Sequence, residues 1–552
     1  MNTYSARSII AILFLASCAK PGPQASDTSS QLSLQLSGVV REETPSDITE
    51  DIIPDFSRLG YHYGDDPIPD YTHIVATLTP TGDATDRSDE IEAALNLADG
   101  VTNSVVLLKA GDYYVGRQIV FDKSHLVLRG EGGGVDSWRT RIIATGDGNM
   151  SNCIRLGKGA KTVTVDGLGA TEITESYVPV GRLSVCVRDA SRFSPGDRVV
   201  VYRPATREWI HDIRMDQISD GEYWDPDQMH LYYERIVTRV VGERIYFDAP
   251  LVMALDADYG GGYVSKASLN RTVESGIEDI FFESVYEEGN PYDENHCHTA
   301  VKLTSCEHCW VRGVSGRYFI FSLVGQGDGS RCVTIEDCHS REPISLIQGS
   351  RRYAFNAGTH STMALVKNCS ADKDRHSFVT TEKAPGPLAF VNCRATDCQN
   401  EVAPHCFWAT GILYDCLKQD SRRLSVEDCD YIGTGASHGW TGSCVVFWNC
   451  EAPVIVCQSP WQAEGKHASG RNYCIGCIGI KSLSSITVND QYLTDRPQGE
   501  WVPDPGEGNS NTTHITSGSF YGVTASGLSL YEAQLAARKA SGVRVLPAGW
   551  YQ

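Results

Sequence analysis

Short runs of apolar and β-branched residues, each closed by a polar turn and a small residue, recur along the chain. Leu365-Val366-Lys367-Asn368-Cys369 is answered by Phe390-Val391-Asn392-Cys393, Leu413-Tyr414-Asp415-Cys416, Phe447-Trp448-Asn449-Cys450 and Ile475-Gly476-Cys477. Upstream, Val333-Thr334-Ile335-Glu336-Asp337-Cys338 and Leu303-Thr304-Ser305-Cys306 fit the same mould, and Val426-Glu427-Asp428-Cys429 adds a copy. The cysteines at 306, 338, 369, 393, 416, 450 and 477 step by 32, 31, 24, 23, 34 and 27 residues. A fixed phrase at such intervals marks a solenoid, because one unit cannot bury its apolar face alone and must stack on its neighbours. Helical periodicity is almost absent from the repeats, which predicts a β solenoid, all-β and single-stranded: a parallel β-helix.

The flanks of this pattern read differently. Residues 1–18 form a targeting segment, with Arg7, an apolar run from Ile9 to Leu15, and Leu15-Ala16-Ser17-Cys18. That run resembles a bacterial lipoprotein lipobox, which implies lipidation at Cys18 and a place at the outer membrane or cell surface; an ordinary signal peptide would leave the protein periplasmic or secreted. Residues 19–50 read as a flexible tether rich in Pro, Ser, Gln and Thr. Residues 51–189 hold a cap and the first coils. Within them the run Asp83 to Glu90 opens an amphipathic helix with Ile91, Ala94, Leu95 and Ala98 on one face. Residues 190–262 interrupt the coils as an aromatic-rich β lobe with Trp209, Tyr223, Trp224, Tyr232 and Tyr233. Coils resume over 263–520, and 521–552 close the chain with a helix from Ser529 to Ala540.

Gly82-Asp83-Ala84-Thr85, the helix, Val105-Val106-Leu107-Leu108-Lys109-Ala110-Gly111-Asp112-Tyr113-Tyr114 and Leu128-Arg129-Gly130-Glu131-Gly132 together resemble the opening of the pectate-lyase superfamily. The resemblance implies a right-handed β-helix whose N-terminal end the helix caps. It leaves the chemistry open, since lyases, hydrolases and phage tailspikes share that opening.

Composition narrows the partners. The 552 residues carry a formal charge of −21, which argues against a general binder of nucleic acid or anionic membrane. Nineteen cysteines in an exported chain would ordinarily suggest disulfides. Their phase with the repeat predicts instead an interior column of mostly free thiols, stacked about 4.8 Å apart. Cys306/Cys309 and Cys474/Cys477 have the spacing of a zinc pair, but they fall on consecutive coil residues, and no metal ligand set is read from the sequence.

Candidate chemistry collects in four coils: Arg351-Arg352-Tyr353, Asp374-Arg375-His376-Ser377-Phe378-Val379-Thr380-Thr381-Glu382-Lys383, Pro404-His405-Cys406-Phe407-Trp408-Ala409-Thr410-Gly411, and Ser437-His438-Gly439-Trp440-Thr441-Gly442. Arg352 and His376 each stand 17 residues before a repeat cysteine, and His405 and His438 stand 11 and 12 before theirs, so stacking predicts a side-chain column. The run Arg-His-Ser-Phe-Val-Thr, Pro-Gly-Pro, Pro-His-x-x-Trp-Ala-Thr-Gly and His-Gly-Trp-x-Gly resembles a group of secreted bacterial β-helix proteins classed with polysaccharide lyases. This chain departs from that pattern at Cys406 and Phe407, where a basic or imidazole side chain is usual before the Trp.

β-Elimination of a uronic-acid polymer requires a neutralised carboxylate, a base for the C5 proton and a proton for the leaving oxygen. Arg352 or Arg375 could hold the carboxylate, His376 or Lys383 could be the base, and His405 or Tyr414 could donate the proton. Trp408, His438, Trp440 and Glu382 complete the expected binding surface. Calcium could replace the arginine, but no Asp/Glu cluster at coil spacing announces it, so no cofactor is expected. Two other readings stay open. A glycoside hydrolase would use a pair among Asp374, Glu382, Glu401 and Asp415. A non-catalytic glycan binder would use Trp408, Trp440, Trp448 and the aromatic lobe as platforms.

Overall fold

The computed structural model describes residues 48–161, 163–165, 169–216, 224–429, 438–460, 470–479, 501–503, 511–515, 518–519 and 528–550. The lipobox with Cys18, the tether up to residue 47, Tyr223 and Ser437 lie outside the described residues. Strands of two to seven residues wind into a right-handed parallel β-helix with three faces. The first face stacks Ser104–Leu108, Leu126–Arg129, Gly276–Glu278, Trp310–Arg312, Thr334–Glu336, Leu365–Lys367, Pro385–Val391, Ala409–Asp415, Val446–Trp448 and Tyr473–Ile475 in order. The third runs from Ile119–Phe121 through Asn152–Leu156, Thr299–Leu303, Ser322–Gln326 and Phe355–Ala357 to Phe378–Thr380.

The turn after each first-face strand explains the repeated phrase. Asp279, Gly313, Asp337, Asn368, Asn392, Cys416, Asn449 and Gly476 all adopt left-handed backbone, with φ between 49° and 67°. Asn, Asp and Gly tolerate that region best. The residue that follows turns inward, and the strand register aligns Ile280, Val314, Cys338, Cys369, Cys393, Leu417, Cys450 and Cys477 in one buried column. The Cys369 thiol donates to the carbonyls of Ile335 and Lys367 at 3.6 and 3.3 Å, and Cys393 and Cys450 repeat the pattern. All 18 described cysteines are free.

Three cysteines assigned to this column do not belong to it. Cys416 occupies the left-handed turn position itself and Leu417 takes the inward place. Cys306 stacks beside Thr272 at another corner. Cys429 follows Arg423–Val426, a strand paired with Val454–Cys457 away from the first face. Next to the column, Phe355, Phe378, Phe390, Tyr414 and Phe447 stack with ring centroids 5.2 to 5.8 Å apart, close to the spacing between coils.

Helix α1 (Ser88–Leu95) closes the first coil by placing Ile91, Ala94 and Leu95 on the core. The chain leaves the solenoid after Leu156 and re-enters one coil on, where Ile277 pairs beside Leu128. The excursion builds an antiparallel lobe from strands between Thr164 and Ser268, wider than the 190–262 stretch its aromatics delimit. The lobe carries helix α2 (Arg207–Asp212), capped by the Thr206 hydroxyl, which accepts from the Trp209 N–H. Helix α3 (Leu530–Ala540) does not close the far end of the solenoid. It lies along the first face, where Leu530 and Tyr531 pack with Phe56, Leu59, Leu413 and Trp448.

Candidate active site: a histidine cluster beside the lobe

The register of the third face sets the column. Phe355 pairs with Phe378, so Arg352 lies in register with Arg375 and Tyr353 with His376. Counting from the repeat cysteines pairs Arg352 with His376 instead. The coil gains one residue between Thr380, 23 beyond its partner Ala357, and Ala389, 24 beyond Leu365, and that slip moves every side chain by one place. Farther on, the His405 N–H donates to the Thr380 carbonyl at 2.8 Å, and the Ala409–Gly442 pairing aligns His438 with His405.

Four rings and a carboxylate result. The His376 and His405 rings lie 4.5 Å apart, His405 and His438 5.9 Å apart, and Tyr353 packs edge-on against His376 at 5.0 Å and His405 at 5.6 Å. His376 is fully buried and its Nδ1 lies 2.8 Å from the Glu401 carbonyl oxygen. A carbonyl only accepts, so Nδ1 carries the proton and the lone pair is on Nε2. That Nε2 is buried and has no hydrogen-bond partner among the described residues. Glu401 Oε1 lies 3.8 Å from His376 Nδ1. The Arg375 Nη1 donates to the Tyr353 hydroxyl at 3.1 Å.

Burial decides the charge states. It lowers His376 to about 4, with Glu401 opposing and Arg375 reinforcing the shift. It lowers His405 to about 3, helped by His376 and Arg375. For Glu401 burial pushes upward, but His376, Arg423 and His405 outweigh it and hold the carboxyl at about 2. The Cys406 thiol is raised to about 11 by burial and the nearby Glu382. At neutral pH the cluster is therefore two neutral imidazoles beside an anionic carboxylate.

The other expected site residues separate into rim, wall and core. Arg375, Lys383, His405 and His438 are half-buried and Glu382 is exposed. The Lys383 ammonium donates to the Gln228 carbonyl of the lobe, and burial lowers its pKa against the pull of Glu382. Arg352 is buried and engaged by the wall, with Nη2 donating to the Ser345 carbonyl at 2.5 Å and Nε to the Ser345 hydroxyl at 3.2 Å. It is no free clamp for a substrate carboxylate.

Tyr414 is corrected outright. It belongs to the interior aromatic stack, fully buried, and cannot reach a substrate. Trp408 and Trp440 are corrected too, since both are buried in the core of the lobe. Trp408 packs 5.1 Å from Trp209, and Trp440 donates to the Ile213 carbonyl at 3.1 Å. Trp448 is covered by α3, and its indole N–H donates to the Leu528 carbonyl. These tryptophans fasten elements together rather than offering sugar platforms.

Of the four carboxylates weighed for hydrolysis, Glu401 alone joins the imidazoles. Asp415 accepts from the Ser529 hydroxyl and the Tyr531 N–H of α3, and Asp374 is buried with its pKa raised by burial against Arg352. Tyr353 and Glu401 are the members of the cluster that cysteine counting missed. Counting from the third-face strands brings Tyr353 beneath His376.

The lobe supplies one wall. The Trp224 indole donates to the His438 carbonyl at 3.2 Å, and its ring lies 6.0 Å from Phe407. Trp224 also lines a cleft of about 480 Å³ with Arg207, Glu208, Ile210, His211, Asp216 and Pro226.

No known family profile matches this sequence. No curated protein matches it either. Solved structures similar to it include the tailspike protein gp49 of Pseudomonas phage LKA1, at 12% identity over 67% of this chain and 64% of that one, with a TM-score of 0.29. The tailspike of E. coli bacteriophage HK620, solved with a pentasaccharide, is 9% identical over 68% of this chain and 48% of its own, at a TM-score of 0.34. The pectin methylesterase of Aspergillus niger is 9% identical over 74% of this chain and 86% of its own, at 0.27. This chain thus spans about two thirds of the first tailspike and about half of the second. The likenesses are distant, and the architecture rests on the strand pairing described above.

Proposed function

We propose that this protein cleaves a uronic-acid polysaccharide by β-elimination at the Arg375–His405 rim. The observation that carries the reading is the clustering of a half-buried guanidinium and two half-buried imidazoles on successive coils, beside the lobe whose Trp224 indole donates to the His438 carbonyl. Arg375 offers the planar contact for the uronate carboxylate, which acidifies the C5 proton. His405, held neutral by burial, accepts that proton. The C4–O bond breaks, its electron pair leaves with the oxygen, and the C5–H pair becomes the C4=C5 double bond. The His405 imidazolium then returns the proton to the departing oxygen. A bound uronate places negative charge beside His405 and so raises its basicity.

The test is to offer the full chain a panel of uronic-acid polysaccharides and to follow the ultraviolet absorbance of the unsaturated uronyl end. Growth of that signal, lost in Arg375→Ala and His405→Ala, is the expected result. New reducing ends without it would overturn elimination and move the chemistry to the carboxylates. Membrane anchorage through Cys18 belongs to the same reading and is tested by lipid labelling of the chain and of Cys18→Ser.

A further inference from the structure

Two overlapping donor groups stand out, both including the proposed catalytic His405. One is His376, Glu401 and His405, each offering a ligand atom within 4.8 Å of the other two; His405, Cys406 and His438 form an overlapping set at the same limit. We infer that His376, Glu401 and His405 form a binding site for a divalent transition ion of the zinc type, with His438 at its open side.

The donor set argues for the class of ion. Two imidazoles and one carboxylate suit zinc and its neighbours, whereas calcium and magnesium prefer all-oxygen shells.

The independent observation is His376 Nε2. A buried nitrogen lone pair without a partner costs free energy unless something meets it. Its opposite nitrogen donates to the Glu401 backbone carbonyl, the outer contact that fixes ring and tautomer in metal-bound histidines.

Occupancy has a consequence that rests on the proposed elimination. An ion on His405 takes the lone pair that would accept the C5 proton, so ion and elimination exclude one another, and zinc acts as an inhibitor that chelation relieves.

Binding and inhibition are measured separately on the full chain. Chelator-stripped protein is dialysed against Zn2+, and bound metal is counted by elemental analysis; Co2+ then reports the shell through its visible spectrum. The expected result is one ion per chain, with affinity reduced at least ~10-fold in Glu401→Gln and in His405→Asn, and no change in Glu382→Gln. Unaltered folding of the variants is checked by circular dichroism. Wild-type binding no tighter than that of the His376→Ala/His405→Ala pair would overturn the site, whatever the protein does to polysaccharide. Tight binding by a protein that the ion leaves fully active, or activates, would keep the site and overturn the competition. Tight binding with no activity on any polymer would count against the elimination alone.

Discussion

Two buried polar clusters differ in how their charges are matched. In the first, Arg198, Arg271 and Arg331 face Glu234, Asp248 and Glu307. Arg271 grips Glu234 through two bonds of 2.8 and 2.7 Å, Arg198 reaches Glu307 at 2.7 Å, and Arg331 pairs with both Asp248 and Glu307. Three positive charges meet three negative ones, contributed by the lobe and by turns of the solenoid. Glu307, His308 and Cys332 also lie within metal-ligand reach of one another, but Glu307 is engaged by arginines and His308 Nδ1 accepts from the His62 N–H. That cluster is matched in charge, and Arg331 Nε, 3.8 Å from Glu234, is its buried atom without a hydrogen bond among the described residues. Around His376 the charges of Arg375 and Arg423 act on two imidazoles and one carboxylate, and among the described residues the Nε2 lone pair has no hydrogen-bond partner. A fold uses closed charge clusters to fix how its parts dock; an open one marks where a ligand completes the shell.

The sharpest way to break this comparison is at Arg331. Arg331→Met leaves Asp248 and Glu307 buried without that cation and should destabilise the protein by ~3–5 kcal/mol, read from denaturant unfolding. Residual activity per folded molecule should be unchanged. Trp408→Ala opens a cavity where the lobe meets the solenoid and should cost about 3 kcal/mol; unlike Arg331→Met it also loosens the wall beside His405, so KM should rise.

Acid sharpens the contrast further. Burial pushes the Glu234 pKa up, but Arg271, Arg198 and Arg331 outweigh it and hold it at about 2 instead of 4.5. A depressed carboxylate contributes stability that is fully present above pH 4.5 and is lost as pH falls toward 2. Unfolding measured across that window should show the loss in the wild type and a flatter profile in Glu234→Gln. The smallest effect belongs to Glu382→Gln on the exposed rim, where stability should move by less than ~0.5 kcal/mol.

The fold was readable because its signal is periodic. Left-handed turns favour Asn, Asp or Gly, the next position takes an apolar inward side chain, and the two preferences recur once per coil. The same rule misled at Cys416, where cysteine fills the turn position and Leu417 does the packing. Residue identity alone does not separate an inward cysteine from a turn cysteine; the register does. The histidines were legible as a set, since three coils carry them at similar phase. Their partners were not, because one added residue between Thr380 and Ala389 shifts the third face against the cysteine count.

The tryptophans failed for another reason. Trp408 and Trp440 look like sugar platforms until an excursion more than 140 residues earlier in the chain, absent from any local pattern, is seen to cover them. Likewise Arg352 reads as a free guanidinium until the loop at Ser345 claims it.

The most direct measurement sets the two clusters side by side: unsaturated-product formation and unfolding free energy on one preparation each of His405→Asn and Arg331→Met. The account predicts that His405→Asn loses ~10²–10⁴-fold in rate while remaining folded, and that Arg331→Met loses stability while its folded fraction keeps its rate. The reverse pattern, activity surviving without His405 and vanishing from folded Arg331→Met, would contradict it.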